Sequence, residues 1–259
     1  MAFRIWKIGL HIQQHDVLAV AIVRDASGWL LQRWWRMPLA HQVVVDGLIR
    51  EPEQLTAVLL PWSRELPHRH HIHLSFPANR TLQKKLPRPA MALREPEQTA
   101  WLSGAMAREL DMEPDALQFD YSEDTLSPAF NVTAAQSKEI SALLTLMHPL
   151  KVQVTAITPD ASALQRLIPY LPEHQQCLVW RDDAQWLWAT RSAWGRKSTG
   201  EIDDIDALAA ALSLCPADIA LCDAGGFDPL NAVSVRQPPI PTDSHNFAVA
   251  LGLAMGGVY

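Results

Sequence analysis

The chain has 259 residues, of which 48% are apolar and 19% are charged. This length and balance indicate one or two ordered lobes with a large core, and they exclude an intrinsically disordered protein. The net charge of −6 argues against nucleic-acid binding across the whole surface, because phosphate contacts need clustered Lys and Arg.

The three cysteines, Cys177, Cys215 and Cys222, show no Cys-x-x-Cys spacing. We therefore expect neither a disulfide nor a zinc knuckle, and a reducing compartment fits this set. The first residues carry charges within the apolar run, which is not the pattern of a signal peptide. No apolar stretch approaches the roughly 20 residues of a membrane-spanning helix, so we expect a cytoplasmic protein.

The first predicted element is a β-hairpin. Apolar residues alternate over residues 3–12, a polar turn follows, and a second apolar run covers residues 17–23. A third strand at residues 29–37 comes directly after the turn at residues 25–28. Three consecutive short strands predict an antiparallel meander.

The remaining elements alternate between helices and strands. We predict helices at 51–60, 95–110, 137–147, from 159 to before Pro169, at 205–214 and at 245–255. We predict strands at 70–76, 117–121, 129–135, 151–157, 176–181, 184–191 and 217–222. The basic, proline-bearing segment 79–94 is predicted as a loop. A meander followed by alternating helices and strands occurs twice, which indicates two related lobes with a cleft between them.

Four stretches resemble the PilM-type, actin-like (FtsA-related) proteins of type IV pilus machinery. They are Ile8-Gly9-Leu10, residues 119–121 with 131–139, residues 155–164, and residues 247–254. No single stretch is diagnostic, but their order over nearly the whole chain is more specific. Within this family the chain most resembles the short enterobacterial branch called HofM, which is associated with DNA utilisation.

The resemblance implies an α/β fold of two lobes, as in the actin/Hsp70/FtsA superfamily, with mixed sheets and a small inserted α+β subdomain in the first lobe. We place the first lobe at residues 1–158, with the inserted subdomain at about 50–115. The second lobe then covers residues 159–259, and its closing helix at 245–255 packs at the hinge between the lobes.

The resemblance also locates the first phosphate loop of the superfamily, a Gly-x-Asp-x-Gly pattern in the opening hairpin. There the Asp manages the metal and its water, and the glycines let backbone N–H groups approach phosphate. In this chain Gly9 keeps the first glycine, whereas His11 takes the Asp position and Gln13 the second glycine position. The chain therefore keeps the hairpin and the first glycine of this loop, but not the residues that would manage the metal and approach the phosphate.

The second and third nucleotide loops are also incomplete. The second should be an Asp-x-Gly turn, but the matching hairpin has Asp182 followed by Asp183 and no glycine. Two acids at a phosphate site repel a polyanion. The third loop is partly present as Gly225-Gly226. The resemblance therefore implies a pseudo-ATPase with no catalytic residue and no cofactor, although ATP–Mg²⁺ binding stays open.

In function, the resemblance implies a scaffold at the cytoplasmic face of the inner membrane, in a type IV pilus-like or DNA-uptake assembly. Its partner would be the cytoplasmic N-terminal tail of a PilN-like single-span membrane protein, with no direct contact to DNA and at most weak homo-oligomers. Two alternatives stay open: a divergent ATPase or small-molecule kinase of the superfamily, and a filament former.

A group of four histidines invites a metal interpretation: His68, His70, His71 and His73. On a strand, His71 and His73 share one face, as two ligands could. Because no nearby side chain completes a tetrahedral set, we predict no metal and expect a solvated edge strand.

The chain has one contiguous basic cluster, here called the segment cluster: Arg80, Lys84, Lys85 and Arg88. Anionic lipid or an acidic partner would be attracted to such a cluster. A solvated loop is the plain alternative, since most charge runs are only surface.

Overall fold

The computed structural model describes residues 5–124 and 127–256, and these form two compact units. The larger unit comprises the described residues up to Asn79 and from Met147 onward, and the smaller unit comprises those within Arg80–Leu146.

The strands and helices follow the predicted order. The strands are β1 (Trp6–Ile12), β2 (Asp16–Asp25), β3 (Gly28–Pro38), β4 (Val44–Val45), β5 (Leu48–Ile49), β6 (His70–Phe76), β7 (Leu82–Pro87), β8 (Leu117–Glu123), β9 (Ala129–Gln136), β10 (Val154–Pro159), β11 (Cys177–Arg181), β12 (Gln185–Thr190), β13 (Trp194–Ser198), β14 (Ile219–Cys222) and β15 (Val235–Arg236). The α-helices are α1 (Pro52–Arg64), α2 (Glu95–Leu110), α3 (Ser137–Met147), α4 (Asp160–Ala163), α5 (Ile205–Leu212) and α6 (Ala248–Met255).

Two sheets of the larger unit share one topology. In the six-stranded sheet, of order β10-β6-β1-β2-β3-β15, the meander β1-β2-β3 is antiparallel and β1 pairs in parallel with β6. In the four-stranded sheet, of order β13-β12-β11-β14, the meander β11-β12-β13 is antiparallel and β11 pairs in parallel with β14. The duplicated pattern predicted from the sequence is therefore present. The boundary between the lobes at residue 158 stays a prediction.

Helix α6 lies in a hydrophobic cluster that contains residues from both sheets. All eight of its residues are buried. The cluster includes Ile22 and Leu31 of the first sheet and Leu178 and Leu187 of the second. Because α6 has no polar face, it is stable only as a fully enclosed helix.

The smaller unit has its own core beneath a three-stranded sheet of order β7-β9-β8, with α2 packed on it through Leu102 and Met106. The predicted bounds of the inserted subdomain, about 50–115, were wrong. Helix α1 and β6 belong to the larger unit, because β6 pairs with β1 and β10 there. The smaller unit instead continues through β9.

Three other expectations need correction. Segment 82–87 is a strand and not a loop, because β7 pairs with β9 along six positions. Strand β6 is not a solvated edge strand, since it lies between β1 and β10. Helix α4 has only four residues and continues as a 3₁₀ helix through Pro169, to Tyr170.

Candidate functional site

The first nucleotide position, Gly9, lies in β1 directly against α6. A Cβ at Gly9 would be 1.9 Å from the carbonyl oxygen of Ala250 and 2.8 Å from the Cβ of Leu253. Any side chain here would collide with the backbone of a buried helix. Gly9 therefore serves the close packing of α6 on β1, a role that needs no phosphate.

His11 is buried at the end of β1, with 1% of its surface exposed. The Nε2 amide of Gln13 donates a hydrogen bond to its Nδ1 at 3.0 Å, and its ring meets the ring of Trp180 edge to face at 5.5 Å between centroids. Burial lowers the pKa of His11 to about 3, so the ring is neutral at neutral pH. A neutral imidazole packed on an indole does not offer Mg²⁺ the carboxylate oxygen that this hard cation prefers.

Asp182 is used by its own turn between β11 and β12. Its Oδ1 accepts hydrogen bonds from the backbone N–H groups of Ala184 at 2.9 Å and Gln185 at 2.8 Å. Its Oδ2 accepts one from the side-chain amide of Gln185 at 3.0 Å. These bonds stabilise the turn and hold the carboxylate of Asp182 within it.

Gly225 and Gly226 lie in a loop that is closed by its own hydrogen bonds. The N–H of Gly225 donates to Oδ1 of Asp223 at 3.0 Å, and the N–H of Phe227 donates to the carbonyl of Leu221 at 2.8 Å. A Cβ at Gly226 would be 2.1 Å from that same carbonyl oxygen. The two glycines therefore fit a tight turn after β14, with an acidic side chain already on one of its N–H groups.

Trp180 is linked to all three predicted nucleotide positions by a contact, by sequence or by strand pairing. It contacts His11 through its ring, lies two residues before Asp182, and pairs in register with Cys222, which directly precedes the glycine loop. Its indole is 1% exposed, and its N–H has no acceptor within the described residues. Trp180 is a residue that the sequence did not single out.

Asp160 is a second residue that the sequence did not single out. It is buried at the start of α4, where its Oδ1 accepts hydrogen bonds from the N–H groups of Ala78 at 3.0 Å and Ala161 at 2.7 Å. Burial raises its pKa to about 7, the two hydrogen bonds and the charge of Arg196 oppose this, and the charge of Asp182 adds to it. In the sequence, Asp160 stands out only as an acidic residue at the start of a predicted helix. This feature predicts the helix and does not predict that the side chain is buried.

The four histidines do not come together as ligands. The Nδ1 of His73 bonds the carbonyl oxygen of Leu253 at 2.8 Å, and the Nδ1 of His70 bonds that of Pro67 at 2.6 Å. Within residues 5–124 and 127–256 there is no group of three or more His, Cys, Asp or Glu side chains arranged for a metal ion. The buried histidines satisfy backbone groups of the larger unit.

The segment cluster is neutralised by carboxylates of the smaller unit. Arg80 pairs with Glu139, and three further pairs follow: Lys84 with Glu109 at 3.6 Å, Lys85 with Asp124 at 2.7 Å and Arg88 with Glu123 at 2.8 Å. A cluster whose cations are all paired has a weak field at a distance. Its attraction for lipid or an acidic partner is smaller than the sequence indicates.

Solved structures share this architecture. The chain aligns with PilM in a "PilM-PilN type IV pilus biogenesis complex", with a TM-score of 0.67 and 14% identity, over 98% of each chain. It also aligns with the cytoplasmic domain of EpsL, an inner-membrane component of the type II secretion system of Vibrio cholerae, with a TM-score of 0.53 and 12% identity, over 75% of this chain and 72% of that one. The duplicated meander and the whole-length likeness define a two-lobed α/β protein with the actin-like fold of PilM.

Sequence comparison narrows this class. The chain is 64% identical to the DNA utilization protein HofM of Escherichia coli (strain K12) over 259 residues, which is the full length of both. It belongs to the HofM family, and the predicted family and fold class are confirmed. A comparison with protein-family models finds no match. Among the described residues, no helix has both the length and the apolar character needed to cross a bilayer.

Proposed function

We propose that this protein is a scaffold of a type IV pilus-like or DNA-uptake assembly, and that it holds the cytoplasmic N-terminal tail of a PilN-like inner-membrane protein without hydrolysing ATP. It would then be cytoplasmic and reach the membrane through that partner. We expect no direct contact with DNA.

The observation that carries this proposal is the state of the nucleotide positions within a complete PilM fold. His11 packs on Trp180, Asp182 stabilises its own turn, and Gly226 closes against Leu221. Phosphoryl transfer depends on positioned metal and phosphate contacts, and these residues are engaged otherwise. A chain that retains the whole fold without such contacts is best explained by selection for a property other than phosphoryl transfer. Binding of a partner protein is such a property.

The solved relative supports the nature of the partner. That structure is of PilM in complex with PilN, and its fold covers this chain almost completely. The HofM relative is described as a DNA utilisation protein. We infer that the tail is captured as an extended segment, through an apolar groove and backbone pairing to an edge strand of the first lobe.

The test is a calorimetric titration of the full chain with a synthetic peptide of the PilN-like partner's N-terminal tail. We expect saturable binding at micromolar peptide, and a scrambled peptide of the same composition is the control. N-methylation of alternate backbone amides in the peptide should weaken binding if a strand is added to a sheet edge. Heats equal to those of the scrambled peptide, up to high micromolar concentration, would count against the proposal.

A further inference from the structure

The sheet of the smaller unit has two edge strands. Its order is β7-β9-β8, so β9 lies in the middle, and β7 and β8 each pair with β9 alone among the described residues. An edge strand presents backbone N–H and C=O groups that can bind an extended segment of another protein. The proposed function requires an edge strand in the first lobe, predicted at residues 1–158, and both of these strands lie in that range.

Strand β8 has a regular outer side that is open to an added strand. Its seven residues pair with β9 without a register shift. The N–H of Asp124 bonds the carbonyl oxygen of Ala129 at 2.9 Å, whereas the N–H of Tyr121 bonds Oδ1 of Asp120 at 2.8 Å. Because backbone groups alternate along an antiparallel strand, those of Phe119 and Tyr121 point away from β9. Within residues 5–124 and 127–256, the N–H and C=O groups of Phe119 have no hydrogen-bond partner.

The side chains of β8 alternate between aromatic and polar. Phe119 and Tyr121 are half-buried at the margin of the core under the sheet, and the ring of Tyr121 meets that of Phe130 edge to face at 5.5 Å between centroids. Asp120, between them, is exposed on the opposite face. A strand added to β8 would therefore meet aromatic rings on one side and a carboxylate on the other.

The β8 edge is acidic, and most of its acids have no counter-ion. Residues 111–124 contain six acids and no Lys, Arg or His. Glu123 and Asp124 are paired with cations of the segment cluster. The other four are exposed and form no ion pair with any described residue: Asp111, Glu113, Asp115 and Asp120.

The opposite edge has the opposite charge. Strand β7 carries Lys84 and Lys85 and ends at Pro87, which has no N–H to donate. A basic segment would meet further cations at β7 and unpaired carboxylates at β8. Cytoplasmic segments next to a membrane span carry an excess of Lys and Arg. The cytoplasmic tail of a single-span inner-membrane protein therefore has the chemistry that suits β8.

We propose that the basic part of the partner's cytoplasmic tail adds to β8 as an extended strand. Its backbone bonds the outward groups of Phe119, its apolar side chains pack on Phe119 and Tyr121, and its Lys and Arg side chains lie at Asp120 and the neighbouring acids. This inference rests on the proposed function and names the strand, which that function leaves open. The backbone bonds supply affinity, while the charges supply specificity and a faster association.

The experiment is the calorimetric titration of the tail peptide, at low salt, into variants of the full chain. Glu113→Gln/Asp115→Asn/Asp120→Asn should weaken binding about tenfold, since each exposed ion pair contributes a factor of up to about five. A peptide whose Lys and Arg residues are replaced by Gln should lose the same affinity for the natural chain. It should lose little more on the acid variant, because both changes remove the same ion pairs.

The matched control removes three exposed acids of the larger unit, Glu173→Gln/Glu201→Gln/Asp203→Asn, and should bind like the natural chain. Two single variants test backbone pairing. Phe119→Ala removes the ring, and Phe119→Pro also removes an N–H that points away from β9, where an edge strand tolerates proline. The proline variant should bind the peptide about twofold to tenfold more weakly than the alanine variant. Urea unfolding of each variant checks that it is folded.

Photo-crosslinking places the tail on the natural chain and does not depend on how well a variant folds. A tail peptide with benzoylphenylalanine at successive positions should crosslink to residues 117–123, as located by mass spectrometry. Crosslinks to another edge strand, or equal binding by the acid variant and its control, would overturn β8 as the site and leave tail capture intact. Self-association that Phe119→Pro abolishes, with tail binding unchanged, would assign this edge to a second copy. No binding of the peptide to the natural chain would overturn both proposals.

Discussion

His11 and Asp160 are both buried ionisable groups of the larger unit, and burial moves their pKa values in directions that favour the neutral form. The pKa of His11 falls to about 3 and that of Asp160 rises to about 7. Below the ordinary pKa of histidine, the unfolded chain takes up a proton at His11 that the native protein does not. Above the ordinary pKa of aspartic acid, the unfolded chain loses a proton at Asp160 that the native protein keeps. Between about pH 4 and 6.5 the two effects on stability therefore oppose each other.

Single variants separate the two effects. As pH falls from about 6.5 towards 4, His11 lowers the free energy of unfolding of the natural chain by up to roughly 3 kcal/mol. His11→Gln should remove this decrease. The measurement is urea unfolding as a function of pH, taken as the difference between variant and natural chain. His15→Gln, an exposed histidine of the same hairpin, is the control and should show a much smaller difference. A pH-independent difference for His11→Gln would show that His11 is not buried in its neutral form.

Asp160→Asn should show the reverse dependence. The free energy of unfolding of the natural chain falls as pH rises from about 4 to 7, because burial opposes ionisation of the Asp160 carboxyl group. The amide of the variant does not ionise. We expect the variant to gain relative stability over this window, by up to about 4 kcal/mol, with a plateau above it. The amide oxygen can still accept from Ala78 and Ala161. The exposed Asp203→Asn is the control, and equal profiles for the two variants would contradict the account of Asp160.

At the scale of secondary-structure elements, α6 packs closely on β1 because Gly9 of β1 has no side chain. Gly9→Ala would place a methyl group 1.9 Å from the carbonyl oxygen of Ala250. Since both backbones are buried, we expect a loss of about 3 kcal/mol or more in the free energy of unfolding. The control is Gly104→Ala at a partly buried position of α2, where the nearest atom to the new Cβ is in the Arg108 guanidinium at 3.7 Å.

The control should change stability in the opposite direction. Replacing a helical glycine by alanine where space is open stabilises a protein by about 0.5–1 kcal/mol. Chemical denaturation of the two variants measures both changes. If Gly9→Ala were as stable as the natural chain, α6 would not lie against β1 as described.

The sequence predicted some secondary-structure elements better than others. The meander, α2 and β6 were located well because their apolar periodicity matches their burial. Strand β7 was missed because Gln83, Lys84 and Lys85 are consecutive exposed polar residues and its last residue is Pro87, so its pattern is that of a loop. Strand β13 was missed because its five residues are only partly buried and contain no apolar alternation.

At the candidate site, the sequence predicted which groups are missing and could not predict what replaces them. That Asp and Gly are missing at residues 11 and 13 is a prediction from the pattern that the family resemblance implies. That Trp180 contacts His11 depends on the register of two strands from different sheets, and nothing local specifies it. The burial of Asp160 depends on the same long-range packing. Likewise, only side-chain geometry shows that the segment cluster is paired with carboxylates.

At the scale of the whole molecule, the larger unit has the duplicated architecture of an actin-like protein, while the residues at the predicted nucleotide positions form hydrogen bonds within their own turns. The proposed function requires the protein to bind its partner without a conformational change driven by nucleotide. Binding of the tail peptide should therefore be independent of nucleotide. Titrations with and without ATP–Mg²⁺ should give the same dissociation constant, and a tail that binds only in the presence of nucleotide would contradict the scaffold account.

The most direct measurement is thermal unfolding of the natural chain with increasing ATP and Mg²⁺. A ligand present at about one hundred times its dissociation constant stabilises the native state by about 2.7 kcal/mol, so micromolar affinity would give a clear rise in the midpoint at millimolar ATP. We predict no Mg²⁺-dependent rise, because His11, Asp182 and the glycine loop are engaged within the protein. A saturable rise that requires Mg²⁺, and that His11→Gln abolishes, would contradict the account.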